Sequence, residues 1–472
     1  MKLGKEDYDM DLFRKKTGLL PHEESGSTGR LKRTMSAFDL TMLGVGCIIG
    51  TGIFVITGKA AAENAGPGLM LSFVIAGIAC VLAALCYAEL SSTVPAAGSA
   101  YAYSYIVFGE ILAWVLGWDL ILEYGVAAAS VSSGWSAYFQ GLLAGFDIHL
   151  PLALTAAYDS TKGTIIDLPA VCIIMLITLL LSLGARETVR FNFIMVCVKV
   201  GVVLLFIGIG IFYVKPANWT PFLPYGFSGV LSAAAIVFFA YLGFDAISTA
   251  AEEVRNPQRT MPIGIISSLA ICTVLYIAVS IVLTGMVPYT QLGISDPVAF
   301  ALRFIHQDFV AGLISVGAIA GMTTVLLVLL YGQTRLIFSM SRDGLLPLFL
   351  SKVNTKTQTP IRSTWLVGSI IALASGLFPL HALTNLTSIG TLFAFAVVSL
   401  GVIVLRKKRP DLKRGFVVPW VPLIPILSAL VCIGLMLQLH ISTWIGFLVW
   451  LLLGLLIYFF YGYHKSLLNR KS

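Results

Sequence analysis

Lys199 stands about ten residues inside an apolar run at 188–214, where a central lysine costs roughly 2.5 to 3.5 kcal/mol to insert. A partner or a function must offset that cost. Burial lowers a lysine pKa by up to several units, so such a group can exchange a proton near neutral pH. Coupling or gating is one reading of Lys199; a structural ion pair is the other. Asp119 and Glu123, four apart and therefore on one helix face, are its candidate partners. Glu123 ranks first because it lies deeper if its helix begins near Tyr103. Glu89, Glu252 and Glu253 fall near run ends and read as solvated or loop-organising carboxylates.

Two further stretches interrupt apolar helix where no loop is wanted. The first is Gly46-Cys47-Ile48-Ile49-Gly50-Thr51-Gly52-Ile53-Phe54, in which glycines flank a threonine. The second is Phe239-Ala240-Tyr241-Leu242-Gly243-Phe244-Asp245, in which Gly and Asp break the run. Unsatisfied backbone groups at membrane depth are tolerated only beside a cavity or inside protein, so a pair of breaks predicts a binding site between them. Gly46 and Gly50 also allow a plainer reading, the close approach of two helices. Asp245 is positioned to cap the second half of its helix, with coupling as the alternative.

The elements that must carry these residues follow from composition. Of 472 residues, 58% are hydrophobic and 11% charged, too little polar surface for a soluble globule of this size. Apolar runs long enough to cross about 30 Å of hydrocarbon predict an all-α integral membrane protein with twelve spans. They lie at 38–62, 68–94, 103–129, 168–183, 188–214, 229–251, 262–287, 310–340, 364–378, 383–405, 418–439 and 444–461. The third span has the composition to run on toward Leu143. Helices 1 and 6 hold the two breaks and start on opposite sides, as an inverted repeat of two five-helix halves requires. The expected divisions are a tail at 1–35, a first repeat at 36–214, a second at 215–405, and two peripheral helices with a tail at 406–472.

Where the basic residues sit decides what the net charge of +8 means. Lys and Arg gather in the N-terminal tail, in alternate loops and after Tyr463, while the intervening loops hold only Lys162, Lys215 and Arg303. This is the positive-inside pattern rather than a nucleic-acid surface, and it predicts that both termini are cytoplasmic. The first 35 residues lack the apolar core of a cleaved signal peptide, so the first span is expected to direct insertion. Seven cysteines, odd in number and without a CxxC pair, predict neither a disulfide nor a zinc framework.

Four stretches carry a family likeness: GCIIGTGIF from Gly46, PAAGSAYAYSY from Pro95, FFAYLGFDAISTAAEEVRNPQRTMP from Phe238, and SRDGLLP from Ser341. In that order and spacing the chain resembles the amino acid-polyamine-organocation superfamily of permeases, over about 36–467. Within it, the cationic amino acid transporter branch is the most similar. Twelve rather than fourteen spans sets it apart from the animal members and suggests a bacterial relative. The resemblance implies alternating access in the plasma membrane and a substrate amino acid at the midplane. Gly50, Thr51 and Gly52 match the site of the α-carboxylate, since a half-helix start offers free N–H groups and a positive dipole end. Freed carbonyls of Ile48, Phe239, Ala240 and Leu242 would take the ammonium, and Phe239 matches the outer aromatic gate. Lys199 matches a lysine that replaces sodium in proton-coupled members, between the first break and helix 8.

Apolar residues in the matched part of helix 8, including Leu329, and around Phe239 leave no carboxylate for a guanidinium. Small or medium neutral L-amino acids are therefore the expected substrates, with protons as the driving ion and lipid as the only other surroundings the sequence implies. Exchange, cationic substrates, and a sensor or channel on the same scaffold stay open. No HExxH, GxSxG or phosphate-binding glycine-lysine motif occurs, and the six histidines lie in tails, loops or helix ends. Neither an enzyme nor a bound cofactor or metal is expected.

Overall fold

The computed structural model describes residues 35–93, 99–184, 189–245, 247, 254–354, 357, 359–412 and 414–468. Among these no β-strand occurs; the extended contacts are isolated bridges at Met35–Val254 and Asp159–Thr164. The chain is a bundle of apolar helices. Among the described residues seven helices are long and apolar enough to cross a membrane, and five more are shorter and apolar.

The first helix, α1 (Ala37–Ile48), starts at Ser36, whose hydroxyl accepts from the Asp39 amide while the Asp39 carboxylate accepts from the Ser36 amide. This reciprocal box satisfies two of the amides that a helix start leaves bare. The helix stops at Ile49, which turns extended, and resumes after Thr51 in a wide turn at Gly52–Ile56. It is followed by α2 (Leu69–Thr93), the short α3 (Ser99–Val107), and α4 (Glu110–Ala144). The expected third span is thus two helices. Gly109, at φ 107°, makes the joint, a backbone angle that favours glycine. As its composition allowed, α4 runs past Leu143.

The remaining helices are α5 (Leu168–Ser182), α6 (Val189–Gly210), α7 (Gly226–Val237), α8 (Pro257–Met286), α9 (Pro297–Phe304) and α10 (Asp308–Arg342). They are followed by α11 (Ile361–Leu377), α12 (Leu380–Lys408), α13 (Leu423–Met436) and α14 (Ile441–Ile457). Helix α7 tightens into a 3₁₀ turn at Phe238–Tyr241 and opens at Leu242, with Gly243 at φ 108°. Both sequence breaks are therefore real interruptions of helix. Helix α9 lies in a loop where no element was expected.

The core forms where α4 packs on α10 and α12, and where α8 packs on α1 and α2. One end of the bundle gathers both described ends of the chain. There the Glu110 carboxylate at the start of α4 accepts from Ser466, and the Leu467 amide donates to Asp343 O. Beside them Glu89 at the end of α2 takes Arg406 and Arg414. Glu89 is fully buried rather than solvated, and it also accepts from the Val418 amide, so it organises the loop after α12.

Candidate functional site

The two breaks meet in the middle of the bundle. Gly52 lies so close to Ala240 that any side chain there would run into the Ala240 backbone, and a Cβ on Gly243 would stand 2.9 Å from Cys47 O. Glycine is what lets the two interrupted helices touch. Their freed carbonyls have a shared partner in Tyr276 of α8, whose hydroxyl lies 2.9 Å from Ile48 O and 2.8 Å from Ala240 O. Thr51 is fully buried, its hydroxyl donating to Met322 Sδ at 3.3 Å, and Gly134 of α4 leaves room for its methyl group.

Between the breaks is a cavity of about 40 Å³. Its walls are Cys47, Ile48, Gly50, Thr51 and Gly52 from the first break, and Phe239, Leu242 and Gly243 from the second. Ala127 and Val131 of α4 and Val325, Val328 and Leu329 of α10 close it. Seven of the eight residues expected to hold substrate line this space. Ala240 sits behind Gly52 instead. The volume is a few times the space one water needs, so a larger guest requires its walls to part. On the side toward α9, Tyr138 of α4 donates to Phe54 O at 2.7 Å and so ties α4 to the turn that follows Thr51.

Lys199 reaches the same break from behind. It is fully buried on α6, its ammonium donates to Gly46 O at 2.6 Å, and its stem lies along Gly321 of α10, where a Cβ would be 2.9 Å from Lys199 Cγ. The Gly46 carbonyl belongs to the last turn of α1, so a change at Lys199 is felt directly by the segment that lines the cavity. The site is thus a break-to-break cavity braced by a tyrosine on one side and an ammonium on the other.

The family model for amino acid permeases matches residues 35–460. The chain belongs to the amino acid permease family. It is 57% identical over 459 residues to the methylthioribose transporter of Bacillus subtilis, covering 97% of this chain and 99% of that one. It is 56% identical to the branched-chain amino acid permease BcaP of the same organism, over 93% and 95% of the two chains. Cationic amino acid transporter 9, chloroplastic, of Arabidopsis thaliana is 42% identical, over 87% of this chain and 73% of that one. The permease is a transporter and not an enzyme.

The permease does not pair Glu123 with Lys199. Glu123 lies on α4 beside Asp245, Asp119 and the Thr391 hydroxyl, and its Oε2 is buried without a hydrogen-bond partner among the described residues. The reason is packing: α10 presses on both α4 and α6 and keeps their inner faces apart. Asp245 Oδ2 accepts from Tyr124 at 3.1 Å. Asp119 is buried against Gly390 of α12, with neither oxygen hydrogen-bonded among the described residues. The cap expected of Asp245 concerns amides that fall mostly outside the described residues, as do Glu252 and Glu253. Three carboxylates therefore form one buried group next to the second break, separate from the lysine. The sequence did not single out Tyr276, Tyr138 or the valines of α4 and α10. A tyrosine in a membrane run is too common to mark itself, and a valine gives no signal at all.

Proposed function

We propose that the permease is a secondary active carrier of small or medium neutral L-amino acids, driven by protons, with aliphatic side chains preferred. The observation that carries the reading is the meeting of two helix breaks at a cavity whose polar groups are nearly all backbone. Amides at Gly50 to Gly52 suit the α-carboxylate, and carbonyls at the breaks suit the ammonium. The side chain is left facing Ala127, Val131, Val325, Val328 and Leu329. No carboxylate lines the cavity, which disfavours lysine and arginine.

The name of one relative raises methylthioribose as a second substrate. A thiosugar carries several hydroxyls, and Thr51 and Cys47 are the only side chains lining the cavity with a group able to bond them. Hydroxyls buried without partners cost about 1–3 kcal/mol each, so the neutral amino acid is the better fit. Lys199 acts as the titrating or cation-mimicking group, and Glu123 with Asp245 and Asp119 as a second protonatable group. Twelve spans in a five-plus-five inverted repeat with two peripheral helices, cytoplasmic termini and a plasma membrane location complete the reading. Uptake into proteoliposomes tests it, using a panel of amino acids and methylthioribose with and without an inward proton gradient. Leucine, isoleucine, valine and alanine should accumulate against their gradients. Arginine or methylthioribose outcompeting leucine refutes the substrate assignment.

A further inference from the structure

A second cavity, about 490 Å³, lies at the far end of α4 from Glu110, past the Tyr138–Phe54 contact. Binding pockets for small molecules generally fall between about 300 and 1,000 Å³, so this space takes a whole amino acid where the central cavity does not. From the end of α4 and the loop after it come the apolar Ala137, Leu143 and Ile148, with Gln140, His149 and Thr155 among them. Asp296 and Arg303 also line it, one before and one within α9.

These two charges are joined at a single point. Arg303 Nη2 lies 2.5 Å from Asp296 Oδ2, with side-chain exposures of 37% and 15%. A guanidinium has five N–H donors and a carboxylate about four acceptor positions, so a one-point contact leaves an edge of each available. Two opposite charges side by side match an ammonium and a carboxylate on one carbon, and Ala137, Leu143 and Ile148 offer contacts to an apolar side chain. The pair also lies beside the elements around the Tyr138–Phe54 contact. Gly141 of α4 packs on Asp296, Gly58 after the first break packs on Pro297, and Tyr138 lies next to the first turn of α9.

We infer that this outer cavity is a second binding site for a zwitterionic amino acid, its carboxylate on Arg303, its ammonium on Asp296 and its side chain against Ala137, Leu143 and Ile148. The inference rests on the amino acid reading of the central site. An amino acid held here lies next to the Tyr138–Phe54 contact.

Equilibrium dialysis of radiolabelled L-leucine against purified permease in nanodiscs tests it by stoichiometry. Wild type should bind two leucines per chain. Arg303→Gln should bind one. Ala137→Trp, which fills the cavity and leaves the charge pair alone, should also bind one, and it guards against misfolding of the charge variant. Thr51→Ile should lose the central leucine and keep the outer one. Isocaproate, which lacks the ammonium, should not displace the outer leucine. A wild type that binds one leucine, lost in Thr51→Ile and untouched by Arg303→Gln and Ala137→Trp, overturns the outer site and leaves the central reading standing. Two leucines bound by both outer variants overturns it as well. No leucine bound by any form overturns both readings together.

Discussion

Replacing Lys199 with methionine separates driving force from binding. Methionine keeps much of the stem that lies along Gly321 and removes the ammonium that holds Gly46 O at 2.6 Å. The lost hydrogen bond to a charged group is worth about 1.5–3 kcal/mol, but the variant also no longer buries a charge, so the two effects oppose and the protein should stay folded and monodisperse. The consequence for transport is larger. One pH unit is worth about 1.36 kcal/mol, so one proton per substrate supports about tenfold accumulation at zero membrane potential. Wild type in sodium-free liposomes, acid outside by one unit, should approach that ratio for leucine. Lys199→Met should reach a ratio of about one while still exchanging labelled for unlabelled leucine across the membrane. Accumulation by Lys199→Met well above onefold refutes the role given to the lysine, and accumulation by wild type that needs sodium refutes proton drive altogether.

Gly52→Val should cut uptake steeply without loss of expression, since its side chain enters the Ala240 backbone and overpacking of this kind costs about 1–3 kcal/mol; initial rates normalised to purified protein check it. Tyr276→Phe should weaken leucine affinity more than it lowers thermal stability, because both carbonyls it serves face the break; dialysis beside a melting curve compares the two. Asp167, the cap of α5, is pushed by burial up to about 6, against bonds from the Ser136 hydroxyl and the Ala170 amide. A folded value above the ordinary one of 3.8 means that stability is full below about pH 4 and falls as pH rises to 6, by about 3 kcal/mol. Asp167→Asn keeps a good cap and should flatten that slope in detergent melts between pH 4 and 7. Glu89→Ala removes the buried carboxylate that holds Arg406, Arg414 and the Val418 amide and should cost about 1–3 kcal/mol of stability, read as a lowered melting midpoint.

The two breaks were legible because glycine and aspartate are costly inside apolar helix, and a costly residue marks a reason. Lys199 was legible on the same ground. What each would touch was less so. Its neighbours on the first break and on α10 came from the family likeness, while the partner chosen by helix-face reasoning, Glu123, was wrong because spacing along α4 says nothing of which helix α10 keeps away from it. Glu89 does organise a loop, one of its two readings, but its full burial was not legible because its counter-charge, Arg406, lies 317 positions on. Gly109 and α9 escaped notice because a lone glycine in an apolar run and eight residues of loop have no period to detect. The outer cavity depends on Asp296 and Arg303 facing the end of α4, a juxtaposition no local pattern encodes.

The tyrosine between the breaks has one hydrogen and two acceptors. The Tyr276 hydroxyl divides its hydrogen between Ile48 O at 2.9 Å and Ala240 O at 2.8 Å, so neither carbonyl holds it alone. An arriving ammonium has donors to spare. In the proposed binding mode an ammonium that takes the Ile48 carbonyl would leave the tyrosine's hydrogen to Ala240 O, on the other broken helix. A substrate without an ammonium leaves the choice open. Under that proposal Tyr276 would report occupancy of the cavity to both broken helices through the position of a single proton, with no change of charge and no movement larger than the turn of a hydroxyl.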